Sequence, residues 1–91
     1  MEPGLFDALR LKLAESITSF PHVYMFKFIV KADNKTLALV EVLFEDDADI
    51  QHKESSKGNY ISITAKQVVM SVDEIISIYE KAAAVKGVIT L

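Results

Sequence analysis

The segment Ser55-Ser56-Lys57-Gly58-Asn59-Tyr60 gathers the residue types in this chain best suited to holding a ligand. Lys57 brings an ammonium, Ser55 and Ser56 bring hydroxyls, and Tyr60 brings an aromatic face with a phenol. Gly58-Asn59 tolerates the positive φ values of a tight turn, and successive turn amides form a small anion-binding concavity. The chemistry this suggests is capture of an anion or a small molecule. Turn formation explains the same residues more simply, with Gly-Asn closing a hairpin and serines pairing across its strands. Ser-Lys-Gly also lacks the helix that must follow a phosphate loop.

Other constellations are thinner. Glu45-Asp46-Asp47 with Asp49 is an acidic cluster that could attract a divalent cation or a basic partner, but its spacing does not match a calcium loop. A solvated helix end accounts for it, although acids there oppose the helix dipole. His52 lies on a polar stretch near Asp49 and Glu54, and His22 follows Pro21; neither has converging partners for a metal site. Tyr24, Phe26 and Phe28 sit on a strand of the kind that RNA-recognition domains use. There the aromatics must face outward, whereas the alternation with Lys27 sends these into the core. No serine has a His-Asp partner pattern, and no cofactor motif is present.

Composition bounds the rest. Ninety-one residues make one domain with a modest core. A net charge of −3 argues against a generic nucleic-acid binder. The absence of cysteine removes disulfides, thiol chemistry and thiolate metal sites, and leans toward an intracellular setting. The start Met1-Glu2-Pro3-Gly4 has no signal-peptide character, and the apolar runs are too short for a membrane span.

The elements that must position these residues follow from periodicity. Leu5 to Ile17 reads as an amphipathic helix with Leu5, Leu9 and Leu13 on one side, appended to the domain. Val23 to Lys31 is an aromatic and β-branched strand whose Tyr24, Phe26, Phe28 and Val30 face one way. Asp33 or Asn34 opens a helix that runs to about Asp46, with Leu37, Val40, Leu43 and Phe44 inward. Leu39 and Val42 widen its apolar arc. Ala48 to Glu54 is a polar, edge-like strand. Tyr60 to Val69 is a strand with Ile61, Ile63 and Ala65 inward. Ser71 caps a last helix in a capping box with Glu74, its buried face made by Val72, Ile75, Ile76, Tyr79, Ala82 and Ala83. Lys86-Gly87 ends it, and Val88 to Leu91 is the final strand. Helical crossovers join parallel strands, so the first and third strands are central and one sheet face is left uncovered. That face carries Met25, Lys27, Ile29, Ser62, Thr64 and Lys66, which suggests a ligand or another copy of the chain.

The run SSKGNY, then ISIT, then a helix from near Asp73 to IYE and a terminal VIT strand, resembles the YbeD-like family of small bacterial proteins of unknown function. FPHVYMFKFIV resembles the family's entry strand. The resemblance spans Phe20 to Leu91 and is most specific from Ser55 to Thr64. The family's hairpin pattern of serine, glycine, aromatic and second serine falls on Ser56, Gly58, Tyr60 and Ser62. The N-terminal helix departs from the shortest relatives. The resemblance implies a ferredoxin-like fold with kinship to ACT regulatory domains. It implies no established activity and supplies no catalytic residues.

The expectation is therefore an α+β chain: an N-terminal helix and linker over residues 1–21, then a ferredoxin-like βαββαβ two-layer sandwich with a four-stranded antiparallel sheet over 22–91. The expected function is a non-enzymatic, cytoplasmic regulatory or adaptor module without a cofactor. It would bind a protein partner, a small metabolite or another copy of itself through the open face and Ser55, Ser56, Lys57, Gly58, Asn59, Tyr60 and Ser62. A nucleic-acid-binding module on the same fold is the alternative. A small enzyme built around Lys57, His52 and Tyr60 is the third reading.

Overall fold

The computed structural model describes residue 4 and residues 6–90. Leu5 and Leu91, assigned from sequence to the first helix and the last strand, lie outside the described residues, as do Met1, Glu2 and Pro3. In chain order the elements are α1 (Asp7–Ser16), β1 (His22–Lys31), α2 (Asn34–Glu41), β2 (Asp49–Glu54), β3 (Tyr60–Val69), α3 (Val72–Ala83) and β4 (Val88–Thr90). The strands form one sheet in the order β2-β3-β1-β4, with every neighbouring pair antiparallel. This is the ferredoxin-like βαββαβ sandwich, with α1 added in front.

Strict alternation along the two central strands produces two unlike sheet faces. Phe26, Phe28 and Val30 of β1 and Ile63, Ala65 and Val69 of β3 are fully buried beneath the helices. Val40 of α2 and Ile75, Ile76, Ile78, Tyr79 and Ala82 of α3 close the layer from above. Each large side chain buried in this way contributes about 1.5–3 kcal/mol. Ile78 joins the α3 core face unexpectedly, while Ala83 is exposed.

Two helix ends differ from the sequence expectation, each for a local reason. The second helix stops at Glu41 rather than near Asp46. The N–H groups of Leu43 and Phe44 reach back only three residues, to Val40 and Glu41, so the last turn tightens and ends. Glu45, Asp46 and Asp47 then lie in the following turn, which relieves the conflict with the helix dipole. The third helix stops at Ala83, and Gly87, at φ 88°, makes the left-handed turn into β4. Gln67 was not singled out from sequence but is buried on the covered face, where its Oε1 accepts the Glu45 N–H at 2.9 Å.

The caps follow the sequence. The Asp33 side chain accepts the Lys35 N–H, and Ser71 Oγ accepts the Glu74 N–H at 3.2 Å. Glu74 Oε2 returns a contact to the Met70 N–H at 2.7 Å, one residue before the usual capping-box donor. Helix α1 packs on α3, burying Leu13 and Ile17 in the shared core and stacking Phe6 on Tyr79 at 5.9 Å between centroids. Arg10 forms an ion pair with Asp73 across the same junction. Among the described residues no helix is long and apolar enough to cross a membrane.

Candidate functional site

The β2–β3 hairpin is built by Ser55 and Gly58. The Ser55 N–H donates to the Tyr60 carbonyl at 2.8 Å, and the Ser55 carbonyl accepts the Gly58 N–H at 2.9 Å. Ser55 Oγ also accepts the Tyr60 N–H at 3.2 Å. Gly58 stands at φ 70°, a conformation that side-chain-bearing residues rarely adopt. The Asn59 carbonyl accepts the Ala32 N–H at 3.0 Å and ties the hairpin tip to the end of β1. Ser62 Oγ donates across the ladder to the Lys53 carbonyl at 3.4 Å. Folding therefore employs Ser55, Gly58 and Asn59. The Gly58 N–H faces into its own turn and is not offered to an outside anion.

Ser56, Lys57 and Tyr60 are the remainder. Their side chains take part in no side-chain hydrogen bond among the described residues, and all three are exposed, Tyr60 by 45 %. Tyr60 divides two shallow clefts. One, of about 420 Å³, has Ile29 of β1 as its apolar wall and is bordered by Lys53, Glu54, Ser55, Ser56 and Ser62. The other, of about 470 Å³, lies between Lys31 and Asp33 on one side and Gly58 and Asn59 on the other. The structure thus brings Ser55, Ser56, Tyr60 and Ser62 to one cleft and Gly58, Asn59 and Tyr60 to the next, while Lys57 lines neither.

Lys31, Lys53 and Asp33 border these clefts but were not read as site residues from sequence. Lys53 was legible in the register: it pairs with Ser62, so it shares that residue's face. Lys31 pairs with Tyr60 in the ladder, and the Ala32–Asn59 hydrogen bond, which no local pattern announces, holds Asp33 beside the hairpin.

The other sequence candidates do not converge. His52 pairs with Ile63 and lies on the helix side of β2, with Nε2 3.9 Å from Glu41 Oε1. It therefore does not share a cleft with Tyr60, and the constellation of Lys57, His52 and Tyr60 is not assembled. Asp49 points to the open face opposite Lys66, apart from the exposed turn of Glu45, Asp46 and Asp47. Tyr24, Phe26 and Phe28 are on the covered face. Tyr24 and Tyr79 join their hydroxyls at 3.1 Å, and burial together with that hydrogen bond pushes the Tyr79 phenol well above the usual tyrosine range.

Comparison with known proteins gives a consistent lineage. A family model described as "Protein of unknown function (DUF493)" matches residues 15–91. A UPF0250 protein of Shewanella baltica is 35% identical over 78 residues, covering 81% of this chain and 89% of that protein. A UPF0250 protein of Shewanella halifaxensis is 32% identical over the same shares. Another from Shewanella amazonensis is 34% identical over 73 residues, covering 76% of this chain and 83% of its own. No solved structure gives a significant match. With the family model spanning β1 to β4 and the hairpin, the chain belongs to the DUF493 family, the YbeD-like small bacterial proteins of unknown function.

Proposed function

We propose that this chain is a non-enzymatic regulatory or adaptor module, acting in the bacterial cytoplasm, that binds a protein partner or small metabolite through the open sheet face and the SSKGNY hairpin. The observation that carries this reading is the division of labour in the hairpin. Ser55, Gly58 and Asn59 hold the turn, while the side chains of Ser56, Lys57 and Tyr60 stand exposed without a side-chain hydrogen bond among the described residues, those of Ser56 and Tyr60 beside a cleft. Exposed polar and aromatic residues on a rigid scaffold are the usual substance of a recognition site. Kinship with ACT regulatory domains is part of the same reading.

The test is affinity capture from native lysate with wild type and with the Ser56→Ala/Lys57→Ala/Tyr60→Ala variant, matched for thermal stability. A partner retained by wild type and lost by the variant supports the hairpin as a recognition site. Identical capture profiles return the segment to turn chemistry.

Nucleic-acid binding is the second reading, favoured by the lysines of the open face. It is weakened by the position of Tyr24, Phe26 and Phe28, since single-stranded nucleic acid needs aromatic platforms on the exposed side.

A further inference from the structure

The open face has a charge opposite to that of the chain. Strand register places Lys27 and Lys31 of β1, Lys53 of β2 and Lys66 of β3 on it. Register gives this face one strand carboxylate, Asp49, and Glu54 at the edge also lines the cleft beside Lys53, on a chain of net charge −3. The ion pairs among the described residues, Arg10–Asp73 and His52–Glu41, both lie on the helix side, and none among those residues involves these lysines.

The apolar residues of the same face are segregated. Val23, Met25 and Val68 cluster at one end, and Ile29, Tyr60 and Ile89 at the other. Five of these six are exposed by 45 % or more, Ile29 being the exception. By register Lys66 is level with Met25 and opposite Asp49, and Lys27 is level with Thr64, so the two lysines lie diagonally between the Val23–Val68 pair and Ile29.

We infer that this face docks an acidic amphipathic helix of a partner protein, with apolar side chains at both ends of its contact stripe and carboxylates between them. The inference rests on the binding-face reading above and names the partner's chemistry. Val23 to Ile29 spans six strand steps, about 20 Å. A helix of roughly 13 residues covers that length. Helices already cover the opposite face of this sheet, and a further helix completes the layering. A second copy laid face to face about a two-fold axis sets Lys27 and Lys66 against the same lysines of the other copy, and like charges across an interface oppose association. Nucleic acid would satisfy the lysines but not Val23, Met25 and Val68, which offer no ring for a base to stack on.

The test titrates the isotope-labelled full chain, observed by NMR, with three probes. These are a designed helical peptide of about 14 residues with leucines at both ends of one face and glutamates between, the same peptide with lysines for glutamates, and a short single-stranded RNA. The acidic peptide should shift the amides of Met25, Lys27, Thr64 and Lys66 and bind about tenfold tighter than the basic one. Raising the salt should erode that difference. Lys27→Glu/Lys66→Glu should reverse the preference, and the milder Lys27→Gln/Lys66→Gln should abolish it. Absence of peptide binding, equal binding of the two peptides, or a preference that survives charge reversal overturns the inference. RNA binding to the same amides more tightly than the acidic peptide also overturns it. If the peptides fail while the hairpin variant still loses its lysate partner, the binding-face reading stands and only the acidic helix falls.

Discussion

The two faces of one sheet share every backbone hydrogen bond and differ only in which alternate residue they display. Phe26, Phe28, Val30, Ile63 and Ala65 are fully buried on one face. Their immediate neighbours Met25, Lys27, Ser62 and Lys66 are exposed on the other. The lesson is a separation of tasks at single-residue resolution. The covered face supplies the packing that holds a small domain together, and the open face is free to vary chemically at little cost to stability.

The sharpest way to break this comparison is to cut into the covered face. Phe26→Ala should cost about 3–5 kcal/mol in chemical denaturation. That is a large share of the roughly 5–15 kcal/mol available to a domain of this kind. A loss near that of a surface substitution would mean the core is not organised around β1.

Tyr79→Phe probes the same face more gently. Removing its hydrogen bond to Tyr24 should cost about 1 kcal/mol at neutral pH. The pH response has a definite sign. The Tyr79 phenol is raised on folding, so its contribution is fully present below the unfolded tyrosine pKa of about 10. It is lost as pH climbs from there through the folded value, because the unfolded chain then releases the proton first. Alkaline unfolding curves should show this loss in wild type and a reduced loss in Tyr79→Phe.

Gly58→Ala examines the hairpin as scaffold. A Cβ there meets nothing within 4 Å, so the cost is conformational alone. At φ 70° it should be about 1 kcal/mol in thermal or denaturant unfolding. The smallest effect belongs to the open face: Met25→Ser/Val68→Ser should change stability by no more than about 0.5 kcal/mol per site. A markedly larger loss would show that the open face also supports the fold.

The fold was legible in this chain because its signals are local and agree with one another. The Tyr24–Val30 alternation, the Asp33 and Ser71 caps and the apolar stripe of α3 each specify one element without reference to the others. What those signals do not announce is one tightened turn and one tertiary contact. The early end of α2 follows from tightened turns at Leu43 and Phe44, and buried Gln67 is satisfied by a backbone group 22 residues away. The site was legible in part. SSKGNY marked the hairpin, but only register shows Lys53 on the same face as Ser62, and only the folded chain sets Ile29 against Tyr60. The basic sign of the open face is hidden by the acidic total, since composition averages over both sides of a sheet.

The measurement that tests the separation of tasks most directly is lysine footprinting by mass spectrometry, comparing the purified chain with the chain in native lysate. Lysines stand on both sides: Lys27, Lys53, Lys57 and Lys66 on the open face and hairpin, and Lys12, Lys35, Lys81 and Lys86 on the helix side, all exposed. If the open face and hairpin bind the partner, the first group becomes protected in lysate while the second keeps its reactivity. Protection confined to the helix side, or equal reactivity of all eight in both settings, would contradict the assignment of binding to the open face.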